Sequence, residues 1–402
     1  IDEFVLGTDA DGPGMLNYEG VTPVKKKRKK KMKIAEIRTF LVGRFLLVRV
    51  YTDEGIVGNG EGGLWGHHGV VKAAIDELAD YYVGKDPRTI EHHYQVVSRH
   101  SHFMGGVLSA AMSAVDIALW DILGQSLGVP VYQLLGGKCR EKVKVFENIR
   151  GDTAAEVAES AREQVERGFH SLRMTPFASG FEQRSGTQNV ATAVELVAAA
   201  REAIGDGVDL GLEIHRNLRP EEAIALALEL EPFKILYYED PLAPESVEAV
   251  EYIAKSVRLP IATGERFYNI YQFKDLIDRK VVSLIRPDLS LAGGFTQVKK
   301  IAAIAEPAFV GIFPHLMGSP INNSAFAHLA AAIPNYTHTE HNALTGPMAE
   351  IVAGQLPVEG GYRLLNDKPG LGIEIVEEAL AKYPYKRVAV TGHFHADGSV
   401  AH

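Results

Sequence analysis

Between residues 143 and 342 the sequence repeats one unit of roughly 25 residues, a short apolar run followed by an amphipathic stretch. The apolar runs fall at 143–149, 171–176, 209–215, 235–241, 260–266, 282–288, 309–315 and 336–342. Between them, stretches such as AAEVAESAREQVERG, NVATAVELVAAAREAI, RPEEAIALALEL and FTQVKKIAAIAE place apolar residues three and four apart, the period of a helix with one buried face. Eight strands, mostly followed by helices, fit an α/β fold closed as a (β/α) barrel rather than an open sheet. The last run leads into an irregular segment, so a (β/α)7β-type TIM barrel is expected over 141–350.

Upstream, KIAEIRTFLVGRFLLVRVYTDEGIVGNGEG alternates and turns at Asp53-Glu54-Gly55, the pattern of an antiparallel meander. VVKAAIDELADYYVG and GGVLSAAMSAVDIALWDILGQSLG carry the helical period, and Gly128 with Pro130 stops the second. An α+β capping domain is therefore expected over 32–140. Residues 351–402 read as loops and short strands that return to this first domain and complete it. Residues 1–31 hold KKKRKKK at Lys25–Lys31 and are expected to be a disordered or non-native tail, because MKIAEIRTF at Met32 reads as a natural start.

Composition bounds the functions open to the chain. Hydrophobic residues make up 46% and charged residues 23%, which excludes a mostly disordered chain. No run of 18 apolar residues is uninterrupted, so no membrane span is expected. Residues 1–31 lack the apolar core of a secretory signal. Cys139 is the sole cysteine, which rules out an intrachain disulfide and a zinc site built on several cysteines. A reducing, cytoplasmic setting is expected. Net charge is −9; without the seven residues of the basic run the balance is 35 basic to 51 acidic, or −16. A body this acidic is not expected to attract nucleic acid.

The polar residues of the repeat fall at one height. The third run ends in Glu213-Ile214-His215, the fourth in Glu239-Asp240, the fifth in Glu265-Arg266 and the sixth in Arg286-Pro287-Asp288. The seventh ends in His315, and the eighth carries Glu340-His341-Asn342. Glu213, Glu239 and Glu265 stand 26 and 26 residues apart, and Asp288, His315 and Glu340 follow after 23, 27 and 25. Each is thus placed at the C-terminal rim, where barrel active sites form. One glutamate at a strand end is commonly a cap or a surface ion pair, but three at equal spacing are a different signal. Three carboxylates aimed at one point raise one another's pKa unless a cation sits between them. An all-oxygen donor set suits a hard ion such as Mg²⁺. Asp288 beside His315 would orient the ring and make it a better base. His215, two residues after Glu213, is expected on the same side of its strand and in the same cavity.

AMSAVDIALWDILGQSLGVPVYQLLGG in the first domain, with YYEDPLAP, ATGERF, RPDLSLAGGFTQ and PHLMGSP in the barrel, resembles the motifs of the enolase superfamily in its mandelate racemase-like branch. The likeness runs from Lys33 to Ile373. It implies one Mg²⁺ per subunit on Glu213, Glu239 and Glu265, a His315–Asp288 dyad, and Glu340 as an acid that donates a hydrogen bond to the substrate carboxylate. It also implies abstraction of the proton α to that carboxylate, a small-molecule acid as substrate, and a homo-oligomer. Racemases of this branch generally carry Lys-x-Lys on the second strand. Here that strand reads Leu172-Arg173-Met174-Thr175-Pro176, in which Arg173 stays protonated and Thr175 is no base. A racemase, an epimerase or a muconate-type cycloisomerase is the rival reading, and the missing lysine speaks against it. The intact triad and dyad speak against a non-catalytic binding relative.

His215 beside the triad resembles the acid of galactonate- and gluconate-type sugar-acid dehydratases. The implied reaction is loss of water from an aldonate to give a 2-keto-3-deoxy acid. His315 would take the α-proton, His215 would assist departure of the 3-hydroxyl, and Arg173 and Thr175 would bind substrate. Such dehydratases usually carry Asp where Glu213 stands. In the cap, EGGLWGHHG offers Trp65, His67 and His68 to the far end of the substrate, with His100 and His102 as further candidates.

Overall fold

The computed structural model describes residues 32–401. Three antiparallel strands come first, β1 (Ile34–Val42), β2 (Phe45–Thr52) and β3 (Val57–Gly62), paired in that order. The helices α1 (His68–Tyr82), α2 (Ile90–His100) and α3 (Gly106–Leu127) follow. The periodic reading missed α2, whose buried residues are Ile90, His93 and Val97 in an otherwise polar stretch. The expected basic run and tail boundary at 1–31 lie outside the described residues.

Small residues set how this layer packs. β3 reads Val-Gly-Asn-Gly-Glu-Gly, so Gly58, Gly60 and Gly62 share one face of the strand. On α3, Ala110, Ala114 and Ala118 recur every four residues and form one stripe. A Cβ on Gly58 would strike the carbonyl of Ala118, and one on Gly60 the carbonyl of Ala114. Strand and helix therefore meet backbone to backbone. α3 has the length and hydropathy of a membrane-crossing helix, but most of it is buried inside the fold.

After the short α4 (Val131–Leu134) the barrel begins. Its units are β4 (Lys142–Asn148) and α5 (Ala154–Glu166), β5 (Ser171–Met174) and α6 (Gly186–Ile204), and β6 (Asp209–Glu213) and α7 (Pro220–Leu230). Next come β7 (Tyr237–Glu239) and α8 (Val247–Ser256), β8 (Ile261–Thr263) and α9 (Ile270–Arg279), and β9 (Leu284–Ile285) and α10 (Gly294–Ala305). The last are β10 (Gly311–Ile312) with α11 (Pro320–Ala332), and β11 (Thr339–Glu340). Strands β4 to β10 are parallel neighbours in chain order; β11 pairs with β4, and an Ile312–Tyr336 bridge closes the ring. Directly after β11 comes the four-residue α12 (Pro347–Glu350) in place of a long helix, which fits the (β/α)7β reading.

The strands are shorter than the apolar runs. The chain takes positive φ at His215 (54°), Arg216 (68°), Asp240 (40°) and Gly264 (118°), just past β6, β7 and β8. A left-handed residue ends strand pairing, so Glu265 stands beyond its strand, as do Asp288 and His315.

The segment after residue 350 divides between two destinations. β12 (Val352–Ala353) pairs with β15 (Glu374–Ile375), and Arg49 of β2 holds Glu374 and Glu377. Leu371 N donates to Asp121 Oδ1 at 2.8 Å, so this part does return to the cap. β13 (Val358–Glu359) and β14 (Tyr362–Leu364) instead extend the barrel sheet, β14 lying antiparallel to Lys142–Lys144 of β4. That attachment rests on backbone pairing, which a loop-like composition does not reveal.

The cap clasps the loop after β9. Gly63 N donates to Ser290 O at 3.0 Å, Ser109 Oγ to Leu291 O at 2.7 Å, and Gly293 N to Ser113 Oγ at 2.8 Å. Because the β3–α3 seam tolerates no side chain, Gly60→Ala is expected to destabilise the protein by about 1–3 kcal/mol through overpacking. Gly69→Ala, where nothing lies within 4 Å, is the control and should leave stability nearly unchanged; thermal melts followed by circular dichroism compare the two.

Candidate active site

The rim gathers acids under a cavity. Glu213 ends β6 and Glu239 ends β7, in register with each other, and Glu265 follows β8. One oxygen from each of the three lies within 4.8 Å of the others. All are buried or nearly so. Glu213 and Glu239 meet carboxyl to carboxyl, a contact that needs a proton or a cation to hold it. Burial pushes both pKa values up, against the pull of Arg173 on Glu213 and of Arg286 on Glu239. Burial acts on Glu265 as well, but the charges of His315, Arg286 and Arg216 outweigh it and hold this carboxyl well below the usual range. Three converging oxygen ligands fit a hard divalent cation such as Mg²⁺.

Two buried arginines brace the acids. Arg286, fully buried, places Nε 2.7 Å from Glu239 and Nη2 2.9 Å from Glu340. Its guanidinium also lies over the Phe313 ring, 4.2 Å from the centroid. Arg173 reaches Glu239 at 3.2 Å and both Glu213 and Glu340 at 3.3 Å, while its Nε donates to Asn148 Oδ1 at 3.0 Å. Glu340 accepts from Arg286 on one oxygen and from Leu316 N on the other. Two guanidinium groups thus flank it.

The dyad has the expected geometry. His315 Nδ1 lies 2.6 Å from Asp288 Oδ2, and the other Asp288 oxygen accepts from Ser290 N at 2.8 Å and Ser290 Oγ at 2.6 Å. His315 Nε2 is then free to face Glu265, 3.9 Å away. Burial alone would lower the pKa of His315, but Glu265 and Asp288 overcome it and raise it to about 9.

His215 reaches the same cavity by a route other than strand alternation. β6 stops at Glu213, and two left-handed residues swing the chain inward. Each such non-glycine residue stores about 1–3 kcal/mol of strain. The turn is held by His215 N donating to Glu213 Oε1 at 2.7 Å and Arg216 N donating to Asp240 O at 2.8 Å. The Glu213 carboxylate thus curls back onto its own chain. Arg216 spans Asp240 (2.9 Å), Glu265 (2.5 Å) and His215 Nε2 (2.9 Å). Burial and the Arg216 charge lower the His215 pKa to about 4.

A cavity of about 820 Å³ unites these groups. Its lining includes Arg173, Thr175, Glu213, His215, Glu265, Asp288, His315 and Glu340 from the barrel, with Trp65, His67 and His68 from the cap. Glu239 lies beneath the floor. His100 and His102 sit at the exposed end of α2 and are not part of this lining. Arg216 and Glu61 line the cavity too, and Arg286 and Asp240 support it, but sequence reasoning assigned them no role. Glu61 of β3 accepts from Ser319 N (2.8 Å), Ser319 Oγ (2.7 Å) and Asn322 N (3.2 Å), tying the cap to the start of α11. Arg216 and Asp240 each neighbour a predicted residue, where strand alternation would have turned them away.

Family models match both parts of the chain. The mandelate racemase / muconate lactonizing enzyme N-terminal domain matches residues 20–136, and the enolase C-terminal domain-like model matches residues 156–379. The D-galactonate dehydratase of Pectobacterium atrosepticum is 38% identical over 360 residues, covering 86% of this chain and 93% of that one. That of Cronobacter sakazakii is 35% identical over 391 residues, covering 92% and 100%. Among solved structures, an enolase from Pantoea ananatis with bound D-gluconate and Mg superposes with a TM-score of 0.88 at 32% identity, over 92% of this chain and 100% of that one. A member of the enolase superfamily from Salmonella Typhimurium gives 0.84 at 30% identity, over 89% and 100%.

Removing Arg286 would leave Arg173 as the remaining guanidinium beside Glu239 and Glu340, too little positive charge for two buried acids. Arg286→Met is expected to destabilise the fold by about 3–5 kcal/mol, measured by urea unfolding.

Proposed function

The chain belongs to the mandelate racemase and muconate lactonizing enzyme family of the enolase superfamily, and from that premise we propose that it dehydrates a sugar acid, an aldonate of the galactonate or gluconate kind, to a 2-keto-3-deoxy acid. The observation that carries this reading is the placement of two histidines, His315 on Asp288 and His215 on Arg216, around one carboxylate-floored cavity. Glu213, Glu239 and Glu265 would hold the metal. When bound, Mg²⁺ supplies positive charge that makes the substrate's α-proton labile and offsets the carboxylates that otherwise keep His315 protonated.

His315 Nε2 takes the proton from C2. Asp288, gripped by Ser290, holds the ring in the matching tautomer and steadies the imidazolium that forms. The 3-hydroxyl leaves as water with a proton from His215, and the enol product returns to the keto form. In the free site His215 is neutral. A substrate carboxylate entering beside it adds negative charge and favours its protonated form.

Arg173 cannot act as a second base, since it stays charged and is drawn into Glu213, Glu239 and Glu340. Trp65, His67 and His68 contact the far end of the substrate, and the cap keeps water from the reactive intermediate. The domain limits of 32–140, 141–350 and 351–402 and assembly into a homo-oligomer belong to the same reading; light scattering checks the assembly.

Mg²⁺ is expected to bind with one ion per chain in calorimetry, and Glu239→Gln to weaken it at least about tenfold. Chelator should abolish formation of 2-keto-3-deoxy acid from a sugar-acid library. His315→Asn is expected to lower turnover by about 10²–10⁴ and to abolish exchange of the C2 proton with solvent. His215→Asn should stop water loss while exchange at C2 continues, as followed by NMR in D₂O. Normal dehydration by His215→Asn would remove it from the acid role, and an epimerised acid as sole product would favour the racemase reading.

A further inference from the structure

A second cavity, about 920 Å³, adjoins the first and shares Phe45 and Met317 with it. Four stretches of chain meet there: the β1–β2 turn, the end of β4 with the loop after it, the segment after β11 from His341 to Met348, and the segment Lys382–Lys386. Backbone bonds fix the junction, Gly43 N donating to Tyr383 O at 2.9 Å and Lys386 N donating to Gly43 O at 2.6 Å. Cavities where separate parts of a chain meet are common ligand sites.

The charge of this cavity is one-sided. Arg44, Arg150 and Lys386 line it, and among the described residues none of the three has a carboxylate in ion-pair contact. Lys382 is matched by Glu350 at 2.8 Å. The acid in the lining, Glu147, is engaged by His341 Nδ1 at 2.7 Å and by Arg167 at 3.7 Å. Arg44 is partly buried, and its guanidinium lies over the Trp65 and Phe45 rings, at 5.3 and 5.4 Å from their centroids. Those rings orient it without neutralising it. Elsewhere the chain pairs its lining arginines with acids, as Arg173 and Arg216 show. Three cations around one cavity with no acid to match them select for an anion with several acceptor oxygens.

We propose that this adjoining cavity is an anion subsite that takes a carboxylate or phosphate group, carried either by the far end of a doubly charged sugar acid or by a free small anion. The first source rests on the sugar-acid reading above; the second does not. Asn148 links the two cavities, since it lines this one and accepts from Arg173 in the other.

The test uses the full chain with Mg²⁺ and the double variant Arg150→Gln/Lys386→Gln, whose side chains are exposed and outside the active-site cavity. Inorganic phosphate, titrated by calorimetry, is expected to bind the wild type and to bind the variant at least about tenfold more weakly. Steady-state kinetics with galactonate and with galactarate, its diacid counterpart, separate the two sources. A KM for galactarate raised about tenfold in the variant, with galactonate unchanged, assigns the subsite to the far end of the substrate. Weakened phosphate binding with both acids unchanged assigns it to a free anion. Phosphate that binds both proteins alike, or neither, overturns the proposal. Absence of turnover on every sugar acid would refute the dehydratase reading while leaving the phosphate measurement decisive for the subsite.

Discussion

Negative charge packed where water cannot screen it governs this molecule. Glu213, Glu239, Glu265, Glu340, Asp240 and Asp288 crowd the rim, and Arg173, Arg216 and Arg286 are the guanidinium groups set among them. Six acids against three permanent cations leave a deficit that a divalent ion and an imidazolium are suited to fill. The (β/α) repeat exists, in this sense, to bring those strand ends together. The left-handed turns after β6 and β7 then aim the side chains that a regular strand would have turned outward.

Much of this was legible beforehand. Helical and strand periods gave the barrel, because each unit must bury one face, and equal spacing put the acids at a common height. The dyad followed from adjacency of the sixth and seventh strands. The sequence reading also put His215 in the cavity, although a turn with positive φ, rather than strand alternation, carries it there. Other features were hidden for physical reasons. Asp240 and Arg216 sat next to assigned residues and were hidden by the same alternation rule. Arg286 and Glu61 act from beneath and from the cap, and long-range ion pairs leave no local pattern in sequence. The β13–β14 hairpin joins the barrel by main-chain bonds, to which composition is blind.

The length of the Glu213 side chain has a structural counterpart. A longer side chain would be expected to displace the metal, yet the carboxylate folds back to accept the His215 N–H. Glu213 and His215 are thereby joined through one short loop, so a change in one alters the aim of the other.

The grip of the cap on the loop after β9 reaches further than packing. Gly63, Ser109 and Ser113 hold Ser290, Leu291 and Gly293, and Ser290 in turn fixes Asp288. The alignment of Asp288 therefore depends on residues outside the barrel. Chimeras that graft the cap of one relative onto the barrel of another, in the hope of trading substrate preference alone, would also alter the support of Asp288.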